Sequence, residues 1–231
     1  MKRFWTETIA VPDKGEFVIR LDGRPVKRPN GQVLSVPFQA LAEGIAAEWA
    51  ATGPNFTADD LPLTRLATTA QDRVRMNRAE IIAQLADYGM NDLICYRAAD
   101  QPSLAEREKE MWQPWLNWAD QHLGIRLKTT SGIVPIEQSP ESRQAFSAIL
   151  NEMDVYQLAG LGVIVPVLGS LVLGLAVESG VLAPEAACEC AYLEELWQEA
   201  HWGSDDEAVM RRREAAQDVA VSARFVILCR P

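Results

Sequence analysis

A stretch of 23 residues, Val155–Val177, carries no charged side chain. A helix of that length could cross a bilayer. However, Asp154 and Glu178 bound the stretch, and no Lys or Arg follows closely that could orient it by the positive-inside rule. Five helix-interrupting residues also lie within it: Gly160, Gly162, Pro166, Gly169 and Gly174. We expect no stable membrane insertion and predict the central buried helix, or a broken helix, of an α-helical domain. A peripheral membrane protein that uses this stretch is a competing hypothesis.

Helical spacing of apolar residues extends over most of the chain after Leu61. The predicted helices are Leu63–Met76, Ala79–Tyr88, Leu104–Leu123, Glu141–Asn151, Val155–Glu178, Pro184–Trp202 and Asp205–Cys229. Pro114 predicts a kink or restart in the third of them, and Ser204 is predicted to cap the last in a capping box with Glu207. One apolar stripe is predicted for Met111, Trp115, Trp118 and His122. Arg126–Thr130 is predicted as an isolated strand.

The first 60 residues follow a different pattern, in which apolar or alternating runs are separated by Gly-containing turns typical of hairpins. The predicted strands are Phe4–Val11, Glu16–Leu21 and Gln32–Val36, with turns at Asp13–Gly15, Asp22-Gly23 and Asn30-Gly31. A helix follows that contains Trp49 and ends at Gly53-Pro54. The predicted fold class is therefore α+β. A small N-terminal β-rich domain with one helix, residues 1–60, precedes a larger all-α orthogonal helical domain, residues 61–231.

Charge is distributed very unevenly. The chain has 22 Lys and Arg residues against 32 Asp and Glu residues, a formal net charge of −10. Residues 144–210 contain eleven acidic residues and no Lys or Arg, so the rest of the chain sums to +1. A chain this acidic is a poor candidate for general nucleic-acid binding, and no nucleic-acid partner is expected.

The helix predicted over Pro184–Trp202 lies inside this acidic segment. Its spacing predicts a buried stripe of Ala186, Cys190, Leu193, Trp197 and Ala200. Glu195 and Glu199 then point away from the core as a like-charge pair, which destabilises an isolated helix by about 0.2–0.5 kcal/mol. One interpretation is that this acidic face meets a basic partner. The alternatives are a solvated face, or internal neutralisation by basic residues elsewhere, such as Arg73, Arg75 and Arg78 or Arg211–Arg213.

Residues suited to catalysis or metal binding are scarce. The four cysteines, Cys95, Cys188, Cys190 and Cys229, form no CxxC pair and no disulfide framework, so a reducing compartment is expected. With two histidines and no nucleophile or phosphate-binding motif, the sequence predicts no catalytic residue, no metal and no cofactor, and the chain is not expected to be an enzyme. The alternative is an enzyme or small-molecule-binding protein with a pocket lined by Trp112, Trp115, His122 and His201. Glu7 interrupts any signal-peptide run, and a cytoplasmic location is expected.

Five short motifs occur in one order along the chain. They are Leu21–Val26, Pro62–Ala67, Asp92–Arg97, Gly169–Leu173 and Leu193–Gln198, the last followed by Trp202-Gly203. Each motif alone is weak, but together they resemble the family of assembly chaperones for the catalytic sector of F-type ATP synthase, specifically the member that binds the α subunit. The resemblance extends over essentially the whole chain, from about Arg3 to Leu228.

The resemblance implies a monomeric, non-enzymatic chaperone without a cofactor. Its partner would be the unassembled α subunit, whose β-facing surface it would shield until the β subunit displaces it. The resemblance implies partner binding for Glu194 and Glu195 and a role in folding for Trp49. We predict that Gln198, Glu199 and Trp202 of the same helix also bind the partner, and that Trp49 and Trp197 have structural roles. A bacterial relative would act in the cytoplasm, and a processed form in the mitochondrial matrix.

Overall fold

The computed structural model describes residues 1–132 and 134–230, and its N-terminal part is an antiparallel sheet. The strands are β1 (Thr8–Asp13), β2 (Glu16–Leu21), β3 (Arg24–Pro25) and β4 (Ser35–Val36). β1 pairs with β2 along its whole length, and β3 and β4 pair with the two ends of β2. The predicted strand Phe4–Val11 begins late, at Thr8, because the N–H groups of Thr6 and Glu7 donate to the Asp22 carboxylate. The predicted strand Gln32–Val36 is reduced to β4, preceded by an isolated bridge at Val33.

Two of the predicted turns have the backbone geometry that matches strand twist. Lys14 and Gly15 have φ angles of 52° and 86°, and Asp22 and Gly23 have 46° and 78°. Two successive positive φ angles define the type I′ turn, which favours Gly at its second position. The Asp22 carboxylate accepts hydrogen bonds from the backbone N–H groups of Glu7 and Thr6, which lower its pKa. The hairpins expected at Asp13–Gly15 and Asp22-Gly23 are confirmed, whereas Asn30-Gly31 is flanked only by an isolated bridge between Lys27 and Val33.

Ten α-helices make up most of the rest of the described chain. They are α1 (Gln39–Ala51), α2 (Pro62–Thr69), α3 (Arg78–Met90), α4 (Pro102–Trp118), α5 (Pro140–Glu152), α6 (Val155–Leu168), α7 (Leu171–Ser179), α8 (Pro184–Ala191), α9 (Leu193–Trp202) and α10 (Asp206–Leu228). α2 and α4 each continue into one π-helical turn, Ala70–Val74 and Ala119–Leu123. The mixed α+β class is confirmed, and α4 runs through Pro114 as a helix.

A two-stranded parallel pair lies outside the main sheet. β5 (Tyr96–Arg97) pairs with β6 (Thr130–Ser131), so the predicted strand Arg126–Thr130 is wrong except for its last residue. The backbone of Lys128 instead bonds the side-chain amide of Gln138, donating to Oε1 and accepting from Nε2, each at 2.9 Å. A buried glutamine thus takes the place of a strand partner.

The uncharged stretch of 23 residues forms α6 and α7, with a break between them. α6 is central and packs against α2, α3, α7, α8 and α10. It ends at Gly169, which has a φ of 62°, and Ser170 then caps α7 by accepting the Leu173 N–H at 3.0 Å. Of the two sequence-based alternatives, the broken helix is correct. In the described part of the chain, no helix has both the length and the apolar character needed to span a membrane.

Asp92 and its neighbour Leu93 form hydrogen bonds to the break between α6 and α7. Asp92 is fully buried, and its two carboxylate oxygens accept the Ile94 N–H at 3.3 Å and the Val172 N–H at 3.0 Å. The neighbouring Leu93 N–H donates to the Gly169 carbonyl at 3.0 Å. Burial raises the pKa of Asp92 to about 6, although the hydrogen bonds from Ser170 and Val172 oppose the shift. The start of α7 is therefore anchored to the segment that precedes β5.

Several local predictions for the helices are wrong. The predicted helix Pro184–Trp202 divides at Tyr192 into α8 and α9. Of its predicted stripe, Cys190 and Leu193 are buried, Ala186 and Trp197 are half-buried and Ala200 is exposed. The N-cap of α10 is Asp205, one residue after Ser204, and its side chain accepts the Glu207 N–H. The capping box predicted between Ser204 and Glu207 is therefore not formed.

The buried face of α4 also differs from the prediction. Trp112, Leu116 and Ala119 are buried there. The predicted stripe is instead half-buried at Met111, Trp115 and Trp118 and exposed at His122. The reason is the Trp112 indole N–H, which donates to the Cys190 carbonyl at 2.8 Å and so turns this face of α4 toward α8.

The buried residues of the sheet and of the helices form one continuous core. α1 packs on β1 and β2 with one side and on α2 and α10 with another. The proposed division into residues 1–60 and 61–231 stays a prediction.

Candidate partner-binding site

The segment Leu193–Arg213, called here the α9–α10 hairpin, has few side chains in the core. Within α9 only Leu193 is buried, and the buried residues of α10 begin at Val219. The two helices are joined across Gly203, whose φ of 95° suits glycine. The side chains of the hairpin are therefore available to solvent or to a partner.

Ion pairs connect the two helices of the hairpin. Glu195 accepts hydrogen bonds from Arg211 at 2.8 Å and from Arg212 at 3.3 Å, and Arg212 also bonds Glu199. The Arg212 side chain is only 12% exposed, which makes it the least accessible member of the network. Internal neutralisation by Arg211–Arg213, one of the interpretations left open by the sequence, thus applies to Glu195 and Glu199 through Arg211 and Arg212.

Arg212 is expected to hold α9 against α10. Arg212→Ala should leave Glu199 without its cation and lower the local opening free energy of α9 by about 1.4 kcal/mol, because the pair is partly buried. Backbone amides of α9 should then exchange with deuterium about tenfold faster, while those of α6 stay protected.

Arg213→Ala is the matched control, because Arg213 is exposed and has no ion pair among the described residues. Equal exchange in the two variants would show that Arg212 does not fasten α9.

Aromatic side chains form a cluster at the C-terminal end of α9. The His201 ring stacks on Trp197 with centroids 3.9 Å apart, and its Nδ1 lies 2.7 Å from the Trp197 carbonyl oxygen. Trp202 meets Trp197 edge to face at 5.8 Å and remains 69% exposed. Val209 and Met210 on α10 are further exposed apolar side chains. Exposed tryptophan is a preferred anchor of protein interfaces.

Glu194 lies on the other flank of α9 and faces α4. Glu194 is exposed. The pKa of the neighbouring Glu108 is raised mainly by burial, and the negative charge of Glu194 adds to this shift. Glu108 is fully buried; one of its oxygens accepts the Ala98 N–H at 2.7 Å and the other has no partner. The Arg97 guanidinium opposes the shift and lies 5.0 Å from the ring centre of Trp112. Sequence analysis missed Glu108 and Arg97, because nothing in the spacing of α4 marks a buried carboxylate.

Two recesses flank α9. One, of about 390 Å³, is lined by four of the five predicted partner-binding residues, Glu195, Gln198, Glu199 and Trp202, together with Arg211 and Arg212. The other, of about 320 Å³, has an apolar floor that includes Met111, Leu196 and Trp197. Glu194 is not part of the first recess, so the structure separates it from the other four.

Trp49 lies far from this hairpin in the sequence and packs in the N-terminal part. Its indole N–H donates to the Thr64 hydroxyl at 3.0 Å, and its ring meets Trp5 and Phe56 edge to face. These contacts join α1 to α2 and to the N-terminal segment, as a structural role would require.

The pocket expected in the alternative hypothesis is not assembled. Trp112 is fully buried, His122 packs near Trp118 and His201 stacks on Trp197. His122 lies about 16 Å beyond Met111 along the helix, whereas the residues of α4 that line the recess beside α9 are Arg107 and Met111.

Metal-binding groups are also not brought together. Within residues 1–132 and 134–230, no three His, Cys, Asp or Glu side chains are grouped as metal ligands would be. All four cysteines are buried, and burial raises the pKa of Cys188 to about 11 and that of Cys229 to about 12. Thiolates suited to redox or metal chemistry are therefore disfavoured.

Comparison with known proteins gives consistent matches. A sequence model of the family described as ATP12 chaperone protein matches residues 2–120, about half of the chain. The chain is 28% identical over 240 residues to the mitochondrial protein atp12 of Schizosaccharomyces pombe, covering 99% of this chain and 82% of that protein. The structure of Atp12 from Paracoccus denitrificans is similar, with a TM-score of 0.95 and 34% identity over 99% of this chain and 98% of that one. A protein from Agrobacterium tumefaciens is similar with a TM-score of 0.92 and 32% identity, covering 98% and 85% of the two chains.

Proposed function

Because the chain belongs to the ATP12 chaperone family, we propose that it is an assembly chaperone of F-type ATP synthase that binds the unassembled α subunit. It acts without chemistry of its own and without a cofactor. Its place of action is the compartment in which the enzyme is assembled, the bacterial cytoplasm or the mitochondrial matrix.

The observation that carries the choice of site is the exposed Trp202 beside an excess of acidic charge. Across the α9–α10 hairpin six acidic residues face three arginines, so an acidic excess remains after Glu195 and Glu199 are paired. Apolar area supplies most of the affinity of an interface, and complementary charge guides association and orientation. We therefore propose that Glu194, Glu195, Gln198, Glu199 and Trp202 contact the α subunit.

In the proposed mechanism, the chaperone temporarily covers apolar surface of the unassembled α subunit. A free subunit exposes apolar surface that its neighbour will later bury, and such surface promotes aggregation. Trp202, Val209 and Met210 of the hairpin would cover part of it, while the acidic residues favour a basic rim around it. Competition by the β subunit for the same surface releases the chaperone, and no nucleotide is needed for that exchange.

The test is binding of the purified α subunit to surface-immobilised chaperone. Glu194→Lys and Trp202→Ala are each expected to weaken binding at least tenfold, about 1.4 kcal/mol, with unchanged far-UV circular dichroism, because both side chains are exposed. The Glu194→Lys/Glu195→Lys double variant should weaken it further, since the lysine that replaces Glu195 would also repel Arg211 and Arg212.

Glu185→Lys is the matched control, an exposed acidic residue of α8 in the same acidic segment but outside the hairpin. It is expected to bind like the wild type. Wild-type protein that does not bind the α subunit at all would overturn the proposed function. Binding that survives both hairpin substitutions would overturn the choice of site only.

A further inference from the structure

A second open surface lies between α3 and α6. A cavity of about 450 Å³ there is lined by Ile81 and Leu85 of α3 and by Leu158, Val163 and Pro166 of α6. A further cavity of about 550 Å³ adjoins it. The two share Gln84 and Tyr88, so together they form one groove along the helix pair. This surface is called here the α3–α6 groove.

Gly162 is the unusual residue of the groove. It is exposed in the middle of α6, and a Cβ atom built on it would meet no atom within 4 Å. Glycine weakens a helix relative to alanine, and Pro166 one turn later weakens it again. Gly160, two residues earlier, has a reason within the chain, because its Cβ would lie 2.4 Å from Val226. At Gly162 no contact within the described chain explains why a side chain is absent. The close approach that this glycine permits is therefore one by an outside molecule.

The charge of the groove limits what that molecule is. The α6 side carries no charged residue. Arg73 lines one end and is exposed, with no ion pair among the described residues. At the other end, Asp87 is already paired with Arg143 at 2.6 Å. The remaining polar groups there are uncharged: the amides of Gln84 and Asn91 and the hydroxyl of Tyr88. The groove is thus complementary to an apolar segment with an acidic residue at the Arg73 end.

We propose that the α3–α6 groove is a second docking surface, which holds an apolar helical segment of the client subunit with an acidic residue next to Arg73. This inference rests on the proposed function and adds to it a contact separate from the α9–α10 hairpin. A helix in an apolar groove is a common mode of peptide recognition, and a glycine in the floor lets the two backbones approach closely.

The test uses a substitution that fills the groove with a side chain and leaves the fold intact. Gly162→Leu places a side chain in open space and should keep or raise the melting temperature, and Gly162→Ala should raise it by about 2–4 °C. Binding of the purified α subunit is expected to fall at least tenfold in Gly162→Leu and less in Gly162→Ala. Arg73→Glu should weaken binding severalfold and reduce its dependence on salt.

Ala83→Leu is the matched control, an exposed position of α3 that does not line the groove. It should bind like the wild type. If Gly162→Leu binds like the wild type while Trp202→Ala does not, the groove proposal is wrong and the proposed function stands. If Gly162→Leu abolishes self-association in sedimentation and leaves α-subunit binding unchanged, the groove belongs to a second copy of this chain, which also overturns the proposal. Wild-type protein that fails to bind the α subunit overturns the proposed function itself.

Discussion

Gly160→Leu is expected to destabilise the protein by about 3 kcal/mol, the largest effect of any single substitution considered for α6. Its Cβ would lie 2.4 Å from a methyl group of Val226 and 3.5 Å from the Ser222 carbonyl oxygen, where α6 and α10 pack closely. Overpacking of a filled core forces side chains out of their rotamers or separates the backbones, at a cost of about 1–3 kcal/mol or more. Urea unfolding followed by circular dichroism measures the loss.

Gly162→Leu is the paired control for this prediction, since it introduces the same side chain on the same helix into open space. Its free energy of unfolding should equal or exceed that of the wild type. Equal losses in the two variants would mean that the helix tolerates no leucine in this region, and that the contact with Val226 is not the cause.

Asp92 is expected to make stability depend on pH. Its pKa is about 6 in the folded protein, against an ordinary value of 3.8, so the folded state binds the proton more tightly than the unfolded state does. The free energy of unfolding should therefore fall as pH rises from about 3 to about 7, by about 3 kcal/mol from this residue alone, and its contribution should change little above that range.

The difference between wild type and Asp92→Asn isolates this contribution, because the other titrating groups are common to both. Wild-type stability relative to Asp92→Asn should decrease by about 3 kcal/mol between pH 3 and pH 7, as measured by urea unfolding at each pH. At neutral pH the carboxylate still has a role that Asn cannot fill, since it accepts N–H groups on both oxygens. Parallel stability curves for the two proteins would contradict the shifted pKa.

Local chemistry explains why parts of the fold were predictable. The turns at Lys14-Gly15 and Asp22-Gly23 need positive φ angles, which Gly supplies, and so the hairpin strand β2 could be assigned with its correct bounds. Gly169 likewise marks the break after α6. The break at Tyr192 carries neither Gly nor Pro, and it results from packing of α8 and α9 on different neighbours.

The buried face of α4 shows a second limit of sequence patterns. Trp112, Trp115 and Trp118 are all apolar, so two overlapping stripes fit the helical period equally well. The hydrogen bond from Trp112 to the Cys190 carbonyl, which connects residues far apart in sequence, decides between them.

The residue types of the candidate site could be predicted from the sequence, but the ion pairs that they form could not. The acidic excess and the tryptophans of α9 can be read from the residues alone. The partners of Glu195 and Glu199, by contrast, lie 13 to 17 residues later in the chain, and only the turn at Gly203 brings them alongside. The proximity of Glu108 to Glu194 could not be predicted for the same reason, because the two residues lie far apart in the sequence.

The sparse anchoring of the α9–α10 hairpin has an evolutionary consequence. Because only Leu193 of α9 belongs to the core, most substitutions there are expected to change the surface that we propose as the partner-binding site, with little cost to folding. Under the proposed function, changes in the client subunit can then be matched by changes in the hairpin, while substitutions at Gly160 of α6 are expected to destabilise the fold. Relatives with superimposable folds can on this basis differ in the clients that they accept, and exchanging the hairpin between them would transfer that preference.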